Sequence, residues 1–289
     1  MRAYATLLMG LTDNQTTTRV SLALAHNVAI FNRTRCFQNR LRELKPGFPL
    51  VVLHNFDVDL SRVFDRLHRI GDRKQELSSA DRRDSLSVHH NKIHIWSLEE
   101  YERVVYIDSD IYLRVVPDEL FSVRLDESTP MAAVACMAYT TETTGLKVGA
   151  KYAHYNDSGA RHFNSGVMVL TPNMTVVAQL LQVIRFQQWR HYTNKSSSAP
   201  YSKACTGNAR GDQYYLNGYF QAGWAHLEWR WNTQMRYPNP GRPLMVHPGI
   251  NTHFVGTHKP PWNRCVHHTY TSQDLLSVNE SRARARNTT

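Results

Sequence analysis

The sequence predicts an α/β fold, a mostly parallel central sheet flanked by helices. Three observations predict it. Short apolar runs such as Val-Val-Leu-His at 51–54 and Arg-Val-Val-Tyr-Ile at 103–107 have the length and β-branched content of buried strands. Stretches with apolar residues at helical spacing alternate with them, the pattern of parallel-sheet architectures. Polar constellations follow directly after several of these runs, where open α/β sheets hold their ligands.

Along the chain, Tyr4 to Met9 is an apolar run closed by Gly10 and the polar Thr12 to Thr18, so a first strand and a loop are expected. The Ala-rich Val20 to Phe31 is predicted helical. Pro49 to His54 is a second strand, closing at Asn55. Arg62 to Ile70 and Asp81 to Ser97 both read as helices, the latter with Val88, Ile93 and Trp96 on one side. Arg103 to Ile107 is the third strand, Ala132 to Met137 the fourth, and Val167 to Leu170, within Phe163 to Leu170, the fifth. Thr175 to Arg190 is a long amphipathic helix, and Thr193 to Arg210, with its Ser triplet, a loop. Asp212 to Phe220 is a short helix; Trp224 to Trp231 and Gly249 to Val255 are late strands.

Composition narrows the class. A chain of 289 residues buries roughly three quarters of its unfolded surface and needs no disulfides to fold. With 42% hydrophobic and 20% charged residues, wholesale disorder is excluded. No run of about 18 apolar residues crosses a membrane, and no fixed period recurs. We expect a single domain over 1–270 and a basic C-terminal tail over 271–289, carrying Arg282, Arg284 and Arg286. The net charge of +10 comes from 34 basic and 24 acidic side chains spread from Arg2 to Arg286. It suits nucleic acid, an anionic membrane or a small phosphorylated substrate. No zinc-finger or RNP motif is present, so nucleic acid is not the expected partner. Cys36, Cys136, Cys205 and Cys265 form no CxxC pair, which argues against structural zinc. The apolar start, Ala3 to Leu11, is too short and lacks a cleavage site for a signal peptide, which favours the cytoplasm. Seven N-x-S/T sequons, at Asn14, Asn32, Asn156, Asn173, Asn194, Asn279 and Asn287, name a Golgi or secretory lumen as the alternative.

Four constellations carry candidate chemistry. Asp108-Ser109-Asp110 follows the strand Arg103 to Ile107, and carboxylates at i and i+2 on extended backbone point the same way. Two such charges call for a hard divalent cation, whose open positions suit phosphate oxygens. The bland reading is a pair of turn-capping Asp residues. His253, Gly256 and Lys259, spaced by three, offer an imidazole ligand, a close backbone approach and a point charge for phosphate. Phe163-Asn164-Ser165-Gly166 is either a turn or a source of hydrogen bonds to sugar hydroxyls. Gly211-Asp212-Gln213 opens a helix, where Asp serves as N-cap or as a carboxylate beside a sugar.

Together these pieces resemble the retaining family-8 glycosyltransferases, the group of glycogenin and galactinol synthase. The residues carrying the resemblance are Lys92 and Trp96 with Tyr101, then VVYIDSD, FNSGVMVL, GDQYYLN and HFVGTHKPPW, spanning about residues 4 to 262. The resemblance implies a GT-A fold with a Rossmann-like central sheet. It implies that Asp108, Asp110 and His253 match manganese ligands, with Mg²⁺ as the other candidate, and that Lys92 reaches the donor sugar and phosphate. Asn164 and Ser165 match the pair near the donor sugar. Ser109 lies between the two metal-binding Asp residues on the donor side, and Asp212 and Gln213 match the polar pair on the sugar's reactive face. Gly256 and Lys259 match the diphosphate clamp, and Leu7 the position meeting uracil. Three departures stand out. Leu8-Met9-Gly10 and a Thr-rich segment replace the usual Thr-Asn, Ala209-Arg210 stand where glycogenins carry a further acid, and Pro260-Pro261 replace a single Pro. The implied activity is glycogenin-like, Mn²⁺-dependent hexosyl transfer from a UDP-sugar, UDP-glucose or UDP-galactose, to a carbohydrate, polyol or protein acceptor, by a chain open to homodimer formation. The alternatives are a pseudoenzyme that binds nucleotide sugar without turnover, and a basic nucleic-acid-binding protein whose affinity would fall steeply with salt.

Overall fold

The computed structural model describes residues 1–8, 17–55, 60–70, 85–135, 151–152, 163–186, 212–220, 223–234 and 251–253. The apolar runs read from the sequence pair first with one another. Strands β1 (Arg2–Leu8), β2 (Leu50–His54), β3 (Leu67–Arg69) and β4 (Arg103–Ile107) stand side by side in the order β3-β2-β1-β4, all parallel. Parallel neighbours need a long crossover. Helix α1 (Thr17–Glu43) supplies it between β1 and β2, burying Phe31, Phe37 and Leu41.

Beyond β4 the sheet continues through β8 (Phe163–Leu170), β6 (Met131–Ala135), β9 (Trp224–His226) and β7 (Lys151–Tyr152). Strand β8 runs antiparallel to both β4 and β6, β9 parallel to β6, and β7 antiparallel to β9, so four of the seven described pairings are parallel. A small second sheet joins β10 (Thr233–Gln234), β11 (Thr252–His253) and β5 (Ile111–Tyr112), with β10 parallel and β5 antiparallel to β11. The helical elements pack together: a 3-10 helix over Ser85–Ser97, α2 (Met174–Phe186) and α3 (Asp212–Tyr219). Trp96 of the 3-10 helix stacks on Phe220 just past α3, ring centroids 5.3 Å apart. The core is the sheet itself; β6 and β8 are buried along their whole length.

This topology brings the polar constellations together. Because β4 and β8 are antiparallel, the end of β4 meets the start of β8, and the Asp108 amide donates to the Gly166 carbonyl at 2.8 Å. Strand β5 follows Asp110 directly and pairs Ile111 with His253 of β11, which fixes the histidine beside the second carboxylate.

Some expectations change. Arg62 to Ile70 is not a helix but a turn followed by the edge strand β3: the Val63 amide donates to the Leu60 carbonyl, and the Val52 amide to that of Arg66. The turn gives Val63, Leu67 and Ile70 the spacing of a helical face without a helix. The helix expected over Asp81 to Ser97 is 3-10 from Ser85, its earlier residues lying outside the described ones. The strand from Trp224 stops at His226, and one 3-10 turn, Trp229–Trp231, replaces its second half. Strand β8 begins at Phe163, four residues before the expected Val167. The expected loop over Thr193 to Arg210, the ends of the Ala132 to Met137 and Thr175 to Arg190 elements, and the 271–289 tail lie outside the described residues. Among the described residues, no helix is long and apolar enough to cross a membrane.

Candidate functional site

Asp108 and Asp110 leave the end of β4, and β11 delivers His253. One ligand atom from each of the three lies within 4.8 Å of the others. His253 Nε2 stands 3.3 Å from Asp110 Oδ1 and 3.9 Å from Asp108 Oδ2. Neighbouring ligands of an octahedral cation with bonds near 2.1 Å stand about 3 Å apart, so the donor set fits a small divalent ion. Two carboxylate oxygens and one imidazole nitrogen also suit Mn²⁺ chemically. The histidine is buried, while the carboxylates are 22% and 24% exposed and so remain open on one side. Ser109 sits between them, partly exposed.

The two carboxylates are not equivalent. Burial pushes the Asp108 carboxyl up; Lys92 and His253 oppose this, while Asp110 and Asp212 add to it. Asp110 is held below the ordinary carboxylate value although burial opposes that, because His253, Arg33 and Lys92 favour its anion. Arg33 of α1 reaches Asp110 at 3.7 Å. Tyr106 donates its hydroxyl to Asp108.

Lys92 joins this cluster to a second one. Its ammonium lies 3.0 Å from Asp108 Oδ1, 2.6 Å from Asp212 Oδ2, and 3.2 Å from both the carbonyl and Oγ of Ser165. Burial would lower its pKa, but the charges of Asp108 and Asp212 outweigh burial and raise it, so the ammonium stays charged. The sequence places it there because Ile93, Ile95 and Trp96 bury the same 3-10 helix. Ser165 Oγ donates to Asp212 Oδ2 at 2.8 Å, so that carboxylate faces two donors.

Beside them, Asn164 Nδ2 donates to Gln213 Oε1 at 3.0 Å, and the Ser165 amide to the same oxygen at 3.4 Å. Asn217, one turn further along α3, grips β8. The Phe163 amide donates to its Oδ1 at 2.8 Å, and its Nδ2 donates to the Phe163 carbonyl at 2.9 Å and the Gln213 carbonyl at 2.7 Å.

The fold thus brings Lys92, Asp108, Asp110, Asn164, Ser165, Asp212, Gln213 and His253 together. Leu7 lies near the end of β1, partly buried; two positions before it, Ala5 pairs with Tyr106, two before Asp108, which puts Leu7 and Asp108 at the same end of neighbouring parallel strands. Gly256 and Lys259 lie outside the described residues. Sequence reading missed Arg33, Tyr106, Asn217 and Asn232, whose Oδ1 lies 2.8 Å from His253 Nδ1. Asn217 and Tyr106 stand inside quoted motifs, five residues after Asp212 and two before Asp108. Arg33 and Asn232 carry no local signal, since only the tertiary fold brings them in.

Comparison with known proteins agrees with this picture. The sequence profile described as glycosyl transferase family 8 matches residues 34–265. Galactinol synthase 10 of Arabidopsis thaliana is 26% identical over 110 residues, 34% of this chain and 33% of its own length. Galactinol synthase 7 of the same plant is 24% identical over 166 residues, 50% and 49% of the two lengths. These matches therefore span a third to a half of the relatives. Among solved structures, the glycosyltransferase GlyE of Streptococcus pneumoniae TIGR4 superposes with a TM-score of 0.56 at 15% identity, over 99% of this chain and 65% of that one. The galactosyltransferase LgtC, solved with donor and acceptor sugar analogs, gives 0.53 at 13% identity, over 97% and 96%. At such identities the likeness establishes the fold, and it is the GT-A fold.

Proposed function

The chain belongs to glycosyl transferase family 8, and from that premise we propose that it moves a hexosyl group from a UDP-sugar, UDP-glucose or UDP-galactose, to a carbohydrate, polyol or protein acceptor with retention at the anomeric carbon. One observation carries the reading: the cation-competent set Asp108, Asp110 and His253 shares Asp108 with the buried cluster of Lys92, Asp212 and Ser165. A divalent cation, Mn²⁺ by its imidazole ligand, would neutralise the departing diphosphate.

The chain's own residues do the rest. Asp212, paired with Lys92 and accepting from Ser165, faces the positive charge that grows at the anomeric carbon as its bond to the diphosphate oxygen breaks. Preorganised charge of this kind contributes about 10² to 10³ in rate per well-placed group. Asn164, Ser165 and Gln213 orient the sugar through its hydroxyls, and Lys92 places positive charge between sugar and phosphate. Gly256 and Lys259 are assigned to the diphosphate and Leu7 to the uracil. The catalytic unit is a single domain over 1–270, and the compartment that goes with it is the cytoplasm, the sequons naming the secretory lumen as the other.

The test is UDP release by the purified protein across a panel of UDP-sugars with Mn²⁺, with and without EDTA. Chelator-sensitive release from one sugar is expected, and Asp110→Ala should abolish it without unfolding the chain. Release that ignores EDTA, or an active Asp110→Ala protein, overturns the metal assignment. Binding without release from any sugar leaves a pseudoenzyme or a strictly acceptor-gated transferase, and continued absence of release with carbohydrate, polyol and protein acceptors added overturns the transferase reading.

A further inference from the structure

The geometry points to Asn232 as the positioning residue that sets the proton of His253, so that the imidazole presents Nε2 to the cation. This rests on the metal set proposed above and adds a residue to it that is not a ligand.

The assignment follows from one donor that cannot be reversed. The backbone N–H of Gly166 lies 2.9 Å from one side-chain terminus of Asn164, which must therefore be the carbonyl oxygen, Oδ1. That oxygen lies 2.8 Å from Asn232, so the Asn232 atom facing it is the amide nitrogen. The other terminus of Asn232 is then an oxygen, and it lies 2.8 Å from His253 Nδ1. An oxygen acceptor obliges Nδ1 to carry the proton. In the neutral ring that leaves the lone pair on Nε2, which faces Asp110 at 3.3 Å and Asp108 at 3.9 Å. The opposite tautomer would turn an N–H toward the cation and set two lone pairs against each other at Asn232.

Burial makes the chain binding. Asn232 is 1% exposed, Asn164 and His253 each 5%, so water cannot substitute for a lost partner. The backbone holds both ends. The Asn251 amide donates to the Arg230 carbonyl and the Thr233 amide to the Asn251 carbonyl, so the segments carrying Asn232 and His253 run side by side.

The experiment uses the full chain. Long-range ¹H–¹⁵N spectra of ¹⁵N-histidine-labelled, metal-free wild type report the His253 tautomer directly, with His253→Ala for assignment. Mn²⁺ affinity is then measured by EPR for wild type, His253→Ala, Asn232→Leu and Asn232→Asp. We expect protonated Nδ1 in the wild type and Mn²⁺ binding about 10- to 100-fold weaker in Asn232→Leu, the usual cost of losing such a support. Asn232→Asp loses the bond to Asn164 as the leucine does, but keeps an acceptor for Nδ1, so it should hold the Nδ1 proton and bind Mn²⁺ more tightly than Asn232→Leu, which a purely structural role of the amide would not permit. A wild-type ring protonated on Nε2 with Nδ1 bare, or Asn232→Leu binding as tightly as wild type, overturns the role of Asn232 alone. Wild type that fails to bind Mn²⁺, or His253→Ala that binds equally well, overturns the metal set and the inference with it.

Discussion

Gly166 is where the chemistry tolerates least. A Cβ built on it would lie 2.5 Å from His253 Cε1, 2.6 Å from its Nδ1 and 2.8 Å from Asn164 Oδ1. The glycine is thus required by close approach: the histidine ring packs on bare backbone where β8 passes the end of β4. Gly166→Ala must push His253 or Asn164 aside, and overpacking of a buried site costs about 1–3 kcal/mol. We expect Mn²⁺ affinity to fall at least tenfold while the fold persists; unchanged affinity would show that the ring can move without leaving its ligand position. In the sequence this glycine is visible only as the fourth letter of FNSG. Its neighbours Asn164 and Ser165 were legible as donor-site candidates because they are polar residues at a strand entrance, in a motif that resembles the family's. The reason for the glycine was not, because the ring it accommodates lies 87 positions away, at His253.

At the scale of elements, one side chain ties α3 to the backbone of β8. Asn217 pairs with both backbone groups of Phe163, as a neighbouring strand would, and this sets the distance of Asp212 and Gln213 from Asn164 and Ser165. Asn217→Leu strands a buried N–H and a buried carbonyl, at about 1–3 kcal/mol for each unsatisfied group. For a domain of this size that lowers Tm by about 2–4 °C per kcal/mol. Turnover should fall further than stability suggests, by about 10²-fold, because the sugar-facing pair shifts. Calorimetry and single-turnover kinetics would check both, and a variant with wild-type turnover would refute the docking role. Elements of this kind were partly legible. Strands β1, β2, β4 and the second half of β8 announced themselves as short apolar runs, and α3 by its acidic start. Strand β11 lies within the expected strand Gly249 to Val255, but β5 and β10 are two residues each, too short for any periodicity, and it is β5 that brings His253 to Asp110. The stretch Arg62 to Ile70 misled because a turn can give apolar residues the spacing of a helix.

For the whole molecule, the site is a concentration of negative charge in a chain of net charge +10. Asp108 and Asp212 converge on one buried ammonium, that of Lys92, and Asp110 stands beside them against His253 and Arg33. Burial and like charge already push the Asp108 carboxyl up, so folding without a cation gathers charges that repel. A cation that binds the folded chain and not the unfolded one stabilises it by RT ln(1 + [L]/Kd), about 2.7 kcal/mol at a hundred times Kd. Millimolar Mn²⁺ should therefore raise Tm by about 5–10 °C, EDTA should reverse the rise, and Asp110→Asn should be indifferent to both. The sign with pH follows from competition for the same oxygens. Asp108 binds protons more readily in the folded chain than in the unfolded one, and it must release its proton to hold a cation. The Mn²⁺-induced rise should accordingly be larger at pH 7 than at pH 5. A rise that is equal at both, or that survives Asp110→Asn, would place the stabilising cation elsewhere on the molecule.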